Sequence, residues 1–183
     1  METNGNKYDI SEKILGLGVD GVVYEVIYNN YIKIAVKIMD NNFTDEELDE
    51  FITINKKMSE IKTGPLIYDI IKKDNKIYIF MEKMEYTLCE YINNLIIKKI
   101  NMEKIIKIIK NQITPIHKKM KSHNITIGDK TIDNYMFKNN ILKKIDFTTS
   151  KIKTNLTIND IKDYNYIHIF NYKEGLLQKI ILF

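Results

Sequence analysis

The chain has 183 residues, 44% apolar and 28% charged, enough for one globular domain or two small lobes sharing an interface. With 28 basic and 24 acidic residues the net charge is only +4, so direct nucleic-acid binding is not expected, and the clusters Lys98-Lys99, Lys118-Lys119-Met120-Lys121 and Lys143-Lys144 read as solvated helix or hairpin faces. One cysteine, Cys89, excludes an intramolecular disulfide and fits a reducing cytosol, while the sequence shows neither a membrane-length apolar run nor a signal-peptide pattern, so a cytoplasmic protein is expected.

In chain order, residues 8–38 read as strands broken by turns. Val22–Ile27 and Ile32–Ile38 are rich in β-branched side chains, with Tyr28-Asn29-Asn30 as the hairpin turn between them. Thr44 is the expected N-cap of a helix running to about Ile61, with Glu46 and Glu47 in a first turn where the helix dipole favours acid. Leu48, Phe51, Ile52, Ile54 and Met58 line its broad apolar face, and Gly64-Pro65 ends it. Leu66–Ile71 and Ile77–Met81 read as two further strands joined by Lys73-Asp74-Asn75. From Thr87 the pattern turns helical, with Cys89 as a small buried hydrophobe at a helix start. Met102–Met120 is the longest such stretch, and Pro115 inside it predicts a kink or local break. Residues 135–139 and 141–145 form a hairpin around Asn139-Asn140, and Asp160–Ile167 reads as a last helix. Abundant isoleucine, lysine, asparagine and tyrosine point to an A/T-rich genome, as in a large DNA virus, an intracellular parasite or a low-GC bacterium.

Motifs fall on this frame in a fixed order: Gly16-Leu17-Gly18-Val19-Asp20-Gly21-Val22-Val23, then Ala35-Val36-Lys37, then Gly128-Asp129 with Asn134 five positions after Asp129, then Asp146-Phe147. A lone G-x-G-x-x-G arises often by chance. Here the glycines lie between two expected strands, which suits a flap over phosphates rather than a dinucleotide-binding turn that opens a helix. A glycine hairpin, a solvent-facing strand lysine and a surface turn are the plain alternatives. Agreement of order and spacing argues against them. Together the motifs supply a phosphate-covering loop, a lysine for phosphate oxygens, a base and two metal-holding side chains, the parts needed to move a nucleotide's terminal phosphoryl group.

Over residues 8 to 148 the sequence resembles the protein-kinase superfamily. The resemblance implies an α+β, two-lobed kinase-like fold in a single domain, 1–183. An N-lobe of antiparallel strands plus one helix (about 8–82) would lead through a hinge (about 82–86) to a reduced, mostly helical C-lobe (about 87–183). It implies ATP and Mg2+ as cofactors. Gly16, Gly18 and Gly21 would cover the phosphates. Lys37 would bind the α and β phosphates and be held by a glutamate of the following helix. Glu50 is the favoured partner; Glu46 and Glu47 are alternatives, and a register anchored on Lys56-Lys57-Met58 puts Phe51 there instead. Val23, Ala35 and Met136 would sandwich the adenine behind a gatekeeper, Met81, with the backbone of Glu82 and Met84 bonding its edge. Asp129 would be the base, and Asn134 and Asp146 would hold metal.

Departures from the family pattern carry their own expectations. Ile127 and Gly128 stand where conventional protein kinases have His-Arg; Gly-Asp is similar to aminoglycoside phosphotransferases and to several atypical and viral kinases. Without that arginine, a phosphate on Thr148, Thr149 or Ser150 is not expected to be needed for order. Thr131 replaces a lysine usual in Ser/Thr kinases, leaving Lys130, and Thr148 replaces the glycine of Asp-Phe-Gly. The sequence runs 37 residues past Asp146 (183 − 146) without an Ala-Pro-Glu motif. That ending is similar to compact atypical kinases such as the kinase subunit of the KEOPS tRNA-modification complex and the RIO group. There an aspartate on the last helix braces the catalytic loop, and Asp163 is the candidate. His117, His123 and His168 are read as packing or surface residues. Ile180-Ile181-Leu182-Phe183 would serve as a docking surface or belong to the chain's own core. The expected function is a minimal Ser/Thr protein kinase with a protein substrate or partner. The competing readings are a non-catalytic kinase-like module, such as a viral decoy, and a small-molecule phosphotransferase.

Overall fold

Short polar turns set the frame of the N-lobe. Asn29 and Asn30 (φ 47° and 66°) and Asp74 and Asn75 (φ 51° and 57°) take left-handed backbone, as two-residue hairpins require and as short polar side chains tolerate. They divide the chain into β1 (Glu2–Thr3), β2 (Asn6–Gly18), β3 (Gly21–Tyr28), β4 (Ile32–Asp40), β5 (Ile67–Lys73) and β6 (Lys76–Glu82). These six form one antiparallel sheet in the order β1-β2-β3-β4-β6-β5. The computed structural model describes residues 1–3, 5–171 and 176–181, with side chains described as far as Asn165 apart from that of Thr3.

Helix α1 (Asp45–Glu60) starts in a capping box, Thr44 accepting from the Glu47 N–H and Glu47 from the Thr44 N–H. Its first turns pack Leu48 and Phe51 on Met39, Ile77 and Ile79 of the sheet. Ile54 and Met58, further along, belong instead to the C-lobe core with Ile109, Ile113 and Phe147. One helix is therefore packed against both lobes. The opposite face of the sheet carries Tyr8, Val26, Ile34, Val36 and Phe80, with the Tyr8 and Phe80 rings stacked 3.9 Å apart.

Past the hinge come β7 (Tyr86–Thr87), α2 (Leu88–Ile97), α3 (Met102–Ser122), a 3-10 turn (Ile132–Asn134), β8 (Tyr135–Lys138), β9 (Ile141–Lys144), α4 (Ile158–Asp163), β10 (Tyr166–Asn171) and β11 (Leu176–Ile181). β7, β8 and β9 form a small sheet, turned at Asn139-Asn140. α3 buries Ile105, Ile109, Ile113, Ile116 and Met120 at helical spacing.

Two expectations change. α3 runs unbroken through Pro115, which lies on the exposed face close to exposed Asn111, so the carbonyl left without an N–H donor is at the solvent side. The last helix ends at Asp163, and Tyr166 and Ile167 enter β10, paired with β11; the aromatic and β-branched run Tyr166–Phe170 favours a strand there. The side chains of Ile180 and Ile181, and all of Leu182 and Phe183, lie outside the described residues, as does the side chain of His168. Among the described residues no helix is long and apolar enough to cross a membrane.

Candidate active site

Strand register builds the roof of the cleft. Val23 faces Lys37 across β3–β4, and Ala35 faces Met81 across β4–β6. Opposed residues point the same way and alternate residues share a face, so Val23, Ala35, Lys37 and Met81 line one side, the side that α1 covers. Gly16 and Gly18 pair with Val23 and Gly21. Gly21 has φ 151°, and a Cβ there would fall 2.3 Å from the Ile38 carbonyl oxygen, so only glycine lets β3 begin this close to β4. The Glu82 N–H donates to the Leu66 carbonyl at 2.8 Å and is not free for an adenine edge. Its carboxylate accepts from the Leu66 N–H and pairs with Lys143. Met84 lies half-buried in the segment 83–85 that links β6 to β7.

The floor is laced from two segments. The Ile145 N–H donates to the Asn134 carbonyl at 3.0 Å, which sets Asp146 beside Asn134. The Asn134 amide donates to the Thr131 hydroxyl, leaving its side-chain oxygen as an acceptor. Met136 sits opposite Lys143 in β8–β9. Asp129 accepts from the Thr131 N–H at 3.0 Å and keeps an exposed carboxylate, while its own N–H donates to Thr149 Oγ1 at 2.9 Å. Gly128 has φ 69°, and a Cβ would meet Thr149 Oγ1 at 2.7 Å and Ser150 N at 2.9 Å. The conventional arginine has no room at this position. Ser150 is buried and donates to the Ile127 carbonyl, and Thr126 and Asn124 carry further backbone bonds to Lys151 and Lys153. Residues 149–153 are thus bound along the segment that leads to Asp129.

Lys37 and Asp146 join roof to floor, with Nζ 2.9 Å from Oδ2 and side chains only 13% and 22% exposed. The expected Lys37–Glu50 pair is not formed. Glu50 Oε1 accepts from the Ile152 N–H at 2.7 Å, and Oε2 lies 3.4 Å from Lys151. Two donors of the segment after Asp146 hold Glu50, and Asp146 itself satisfies Lys37; Glu47 is occupied in the α1 cap. Burial works to raise the Asp146 carboxyl, but the Lys37 ammonium and the N–H and hydroxyl of Thr148 outweigh it and hold it below the usual carboxylate range. The Thr148 hydroxyl lies 2.8 Å from Asp146 Oδ1 and 3.1 Å from Asp20 Oδ2, so its single proton is shared between a floor carboxylate and the flap tip. Lys130, which stands in the loop after Asp129, pairs with Asp163 of α4 at 2.7 Å.

Sequence reasoning missed Lys144. Lys143-Lys144 is not a solvated hairpin face. Lys143 pairs with Glu82, and Lys144 is fully buried with Nζ 2.9 Å from the Asp129 carbonyl oxygen. Burial pulls its ammonium down to about 8, against the pull of Asp146 and Asp129. The signal was present: strand alternation puts Lys144 on the same side as Leu142, which is buried. Glu25 was missed as well. It faces Ala35 across β3–β4 and gathers Lys13, Lys33 and Lys83.

His117 packs beneath this floor, as expected of it. Nδ1 lies 2.8 Å from the Tyr164 carbonyl and Nε2 2.7 Å from the Tyr135 hydroxyl. A carbonyl only accepts, so Nδ1 carries the proton and Nε2 receives the Tyr135 O–H. Burial holds this imidazole down at about 4. Cys89 is half-buried, and burial pushes its thiol up.

A cavity of about 480 Å³ opens beside the flap tip, bordered by Gly18, Asp20, Phe43, Lys76 and Thr148. Gly21 borders it too, whereas Val23, Ala35, Met81 and Met136 do not. Among the described residues no three His, Cys, Asp or Glu side chains converge on a metal site. Asp146 and Asn134 carry hard oxygen donors of the kind that would suit Mg2+, on segments joined by the Ile145–Asn134 backbone bond. The chain matches the family model described as protein tyrosine and serine/threonine kinase over residues 10–163. No curated protein matches it.

Proposed function

Because the chain belongs to the protein tyrosine and serine/threonine kinase family, we propose that it is an ATP- and Mg2+-dependent phosphotransferase acting in the cytoplasm on a Ser/Thr hydroxyl of a protein. The observation that carries this reading is the Lys37–Asp146 contact beneath the glycine flap, with Asp129 and Asn134 on the same floor. Lys37 would hold the α and β phosphates. Asp129, exposed and fixed by the Thr131 N–H, would orient the acceptor hydroxyl and take its proton as the hydroxyl oxygen bonds the γ-phosphorus and the bond to the β–γ bridging oxygen breaks. Asp146 and Asn134 would hold Mg2+, which neutralises charge on the phosphate oxygens.

The test is a melting curve with Mg-ATP at about 5 mM, since a ligand that binds only the native state raises the melting temperature. Lys37→Met and Asp146→Asn should each remove most of that rise. Phosphate transfer to a panel of Ser, Thr and Tyr proteins and of small alcohols then identifies the acceptor. An unchanged wild-type curve removes nucleotide binding and leaves a second reading, a non-catalytic interaction module. That reading draws on Glu50, held by Ile152 and Lys151 away from Lys37.

A further inference from the structure

β9 delivers Lys144 to the floor two residues before Asp146. Its ammonium donates to the Asp129 carbonyl and stands 5.5 Å from the centre of the Tyr135 ring and 5.7 Å from that of Phe147. Tyr135 follows Asn134 directly, and Phe147 follows Asp146. One buried cation therefore touches the three segments that carry the proposed base and both proposed metal-holding side chains. Among the described residues it forms no ion pair. Its hydrogen bond is to main chain, and two aromatic faces complete its shell. An apolar side chain of similar length would fill this space without desolvating a charge, so packing does not call for an ammonium here. What the ammonium adds is a donor to the Asp129 main chain, at the point where these three segments meet.

We propose that Lys144 is a positioning residue for phosphoryl transfer, clamping the Asp129–Lys130 peptide to the Tyr135 and Phe147 rings so that the Asp129 and Asp146 carboxylates keep their orientation. The proposal rests on the phosphotransferase reading above. It concerns orientation, so its mark is a loss of kcat with binding retained.

Lys144→Met keeps the length and removes the ammonium. The melting temperature should hold or rise and the Mg-ATP affinity change by less than about threefold, while kcat falls by about 100-fold, the scale of losing one preorganised donor. Lys144→Cys in a Cys89→Ala background, alkylated with 2-bromoethylamine in denaturant and refolded, regains an ammonium at nearly the same reach. It should recover most of the lost kcat, which a mere packing role would not predict. An unchanged kcat in Lys144→Met overturns the proposal. So does a Lys144→Met chain that cannot fold, because the ammonium would then be structural. A wild type that binds Mg-ATP but phosphorylates nothing defeats the phosphotransferase reading by itself. The clamp is then judged by amide exchange at residues 128–131, which should quicken by about tenfold in Lys144→Met. Unchanged exchange there overturns it.

Discussion

Mild acid should destabilise the protein through His117 before it acts on the carboxylates. Its two ring nitrogens are committed to the Tyr164 carbonyl and the Tyr135 hydroxyl, and its exposure is 0%. Its folded value of about 4 lies below the 6.5 of an unfolded chain, so the neutral ring is the native one. The unfolded chain takes up a proton that the folded chain refuses. Stability is thus complete above about pH 6.5 and is lost as pH falls towards about 4. At about 1.4 kcal/mol per pH unit, the loss by about pH 5 is about 2 kcal/mol. That is a large part of the total stability of a small protein. Asp146 and Asp160 are depressed acids; their contributions are present above their ordinary values and disappear only at lower pH. The assay is urea unfolding at about pH 7 and about pH 5 for wild type and His117→Gln. Glutamine can still donate to Tyr164 and accept from Tyr135, but it does not titrate. Wild type should lose about 2 kcal/mol over this interval and the variant little. Equal losses would refute the assignment to His117.

Asp129→Asn keeps the shape of the loop but cannot take a proton, so initial rates should fall by about two to four orders of magnitude with ATP affinity nearly unchanged; undiminished turnover would remove Asp129 as the base. Gly128→Arg, which restores the conventional family residue, should cost about 2 kcal/mol or more in thermal unfolding, because positive φ and the Thr149–Ser150 backbone leave no room. A variant as stable as wild type would contradict that geometry. Glu50→Ala should leave Mg-ATP affinity within about threefold, since Asp146 rather than Glu50 holds Lys37, yet speed limited proteolysis near Lys151 and Ile152. A large loss of nucleotide affinity would show that Glu50 reaches Lys37 when nucleotide is bound.

Much of the fold could be read from local chemistry. Asn29-Asn30, Asp74-Asn75 and Asn139-Asn140 announce hairpins because few residues accept left-handed backbone. Thr44 with Glu47 announces a helix start. Partners across the chain are harder to read. Glu50 sits on a helix whose register sequence alone leaves open, and its partner, the Ile152 N–H, lies 102 positions away and belongs to backbone that any residue carries. Lys144 was misjudged because a lysine pair was read by composition, whereas strand alternation separates its two members, one to Glu82 and one inward. The expected helix over Asp160–Ile167 runs two residues into β10 because Asp160–Asp163 is indeed helical, and the change of period at Tyr166-Ile167 is too short to register.

Strand β2 is anchored unevenly. At its start Tyr8 is fully buried, and the N-terminal ammonium donates to its carbonyl at 2.9 Å. Further on, the pairing with β3 slips twice, between Ile10 and Ile14 and between Ile14 and Gly16, before the strand ends beside exposed Leu17 and Val19. Each slip forfeits ladder bonds and bends the strand, so the distal half has little to lose by peeling away. The cover over the cleft can then lift as a local event while the sheet behind it stays closed. Amide exchange along β2 would show this as a gradient, slow at Tyr8 and fast past Ile14, with the break at the irregularities rather than at the glycines.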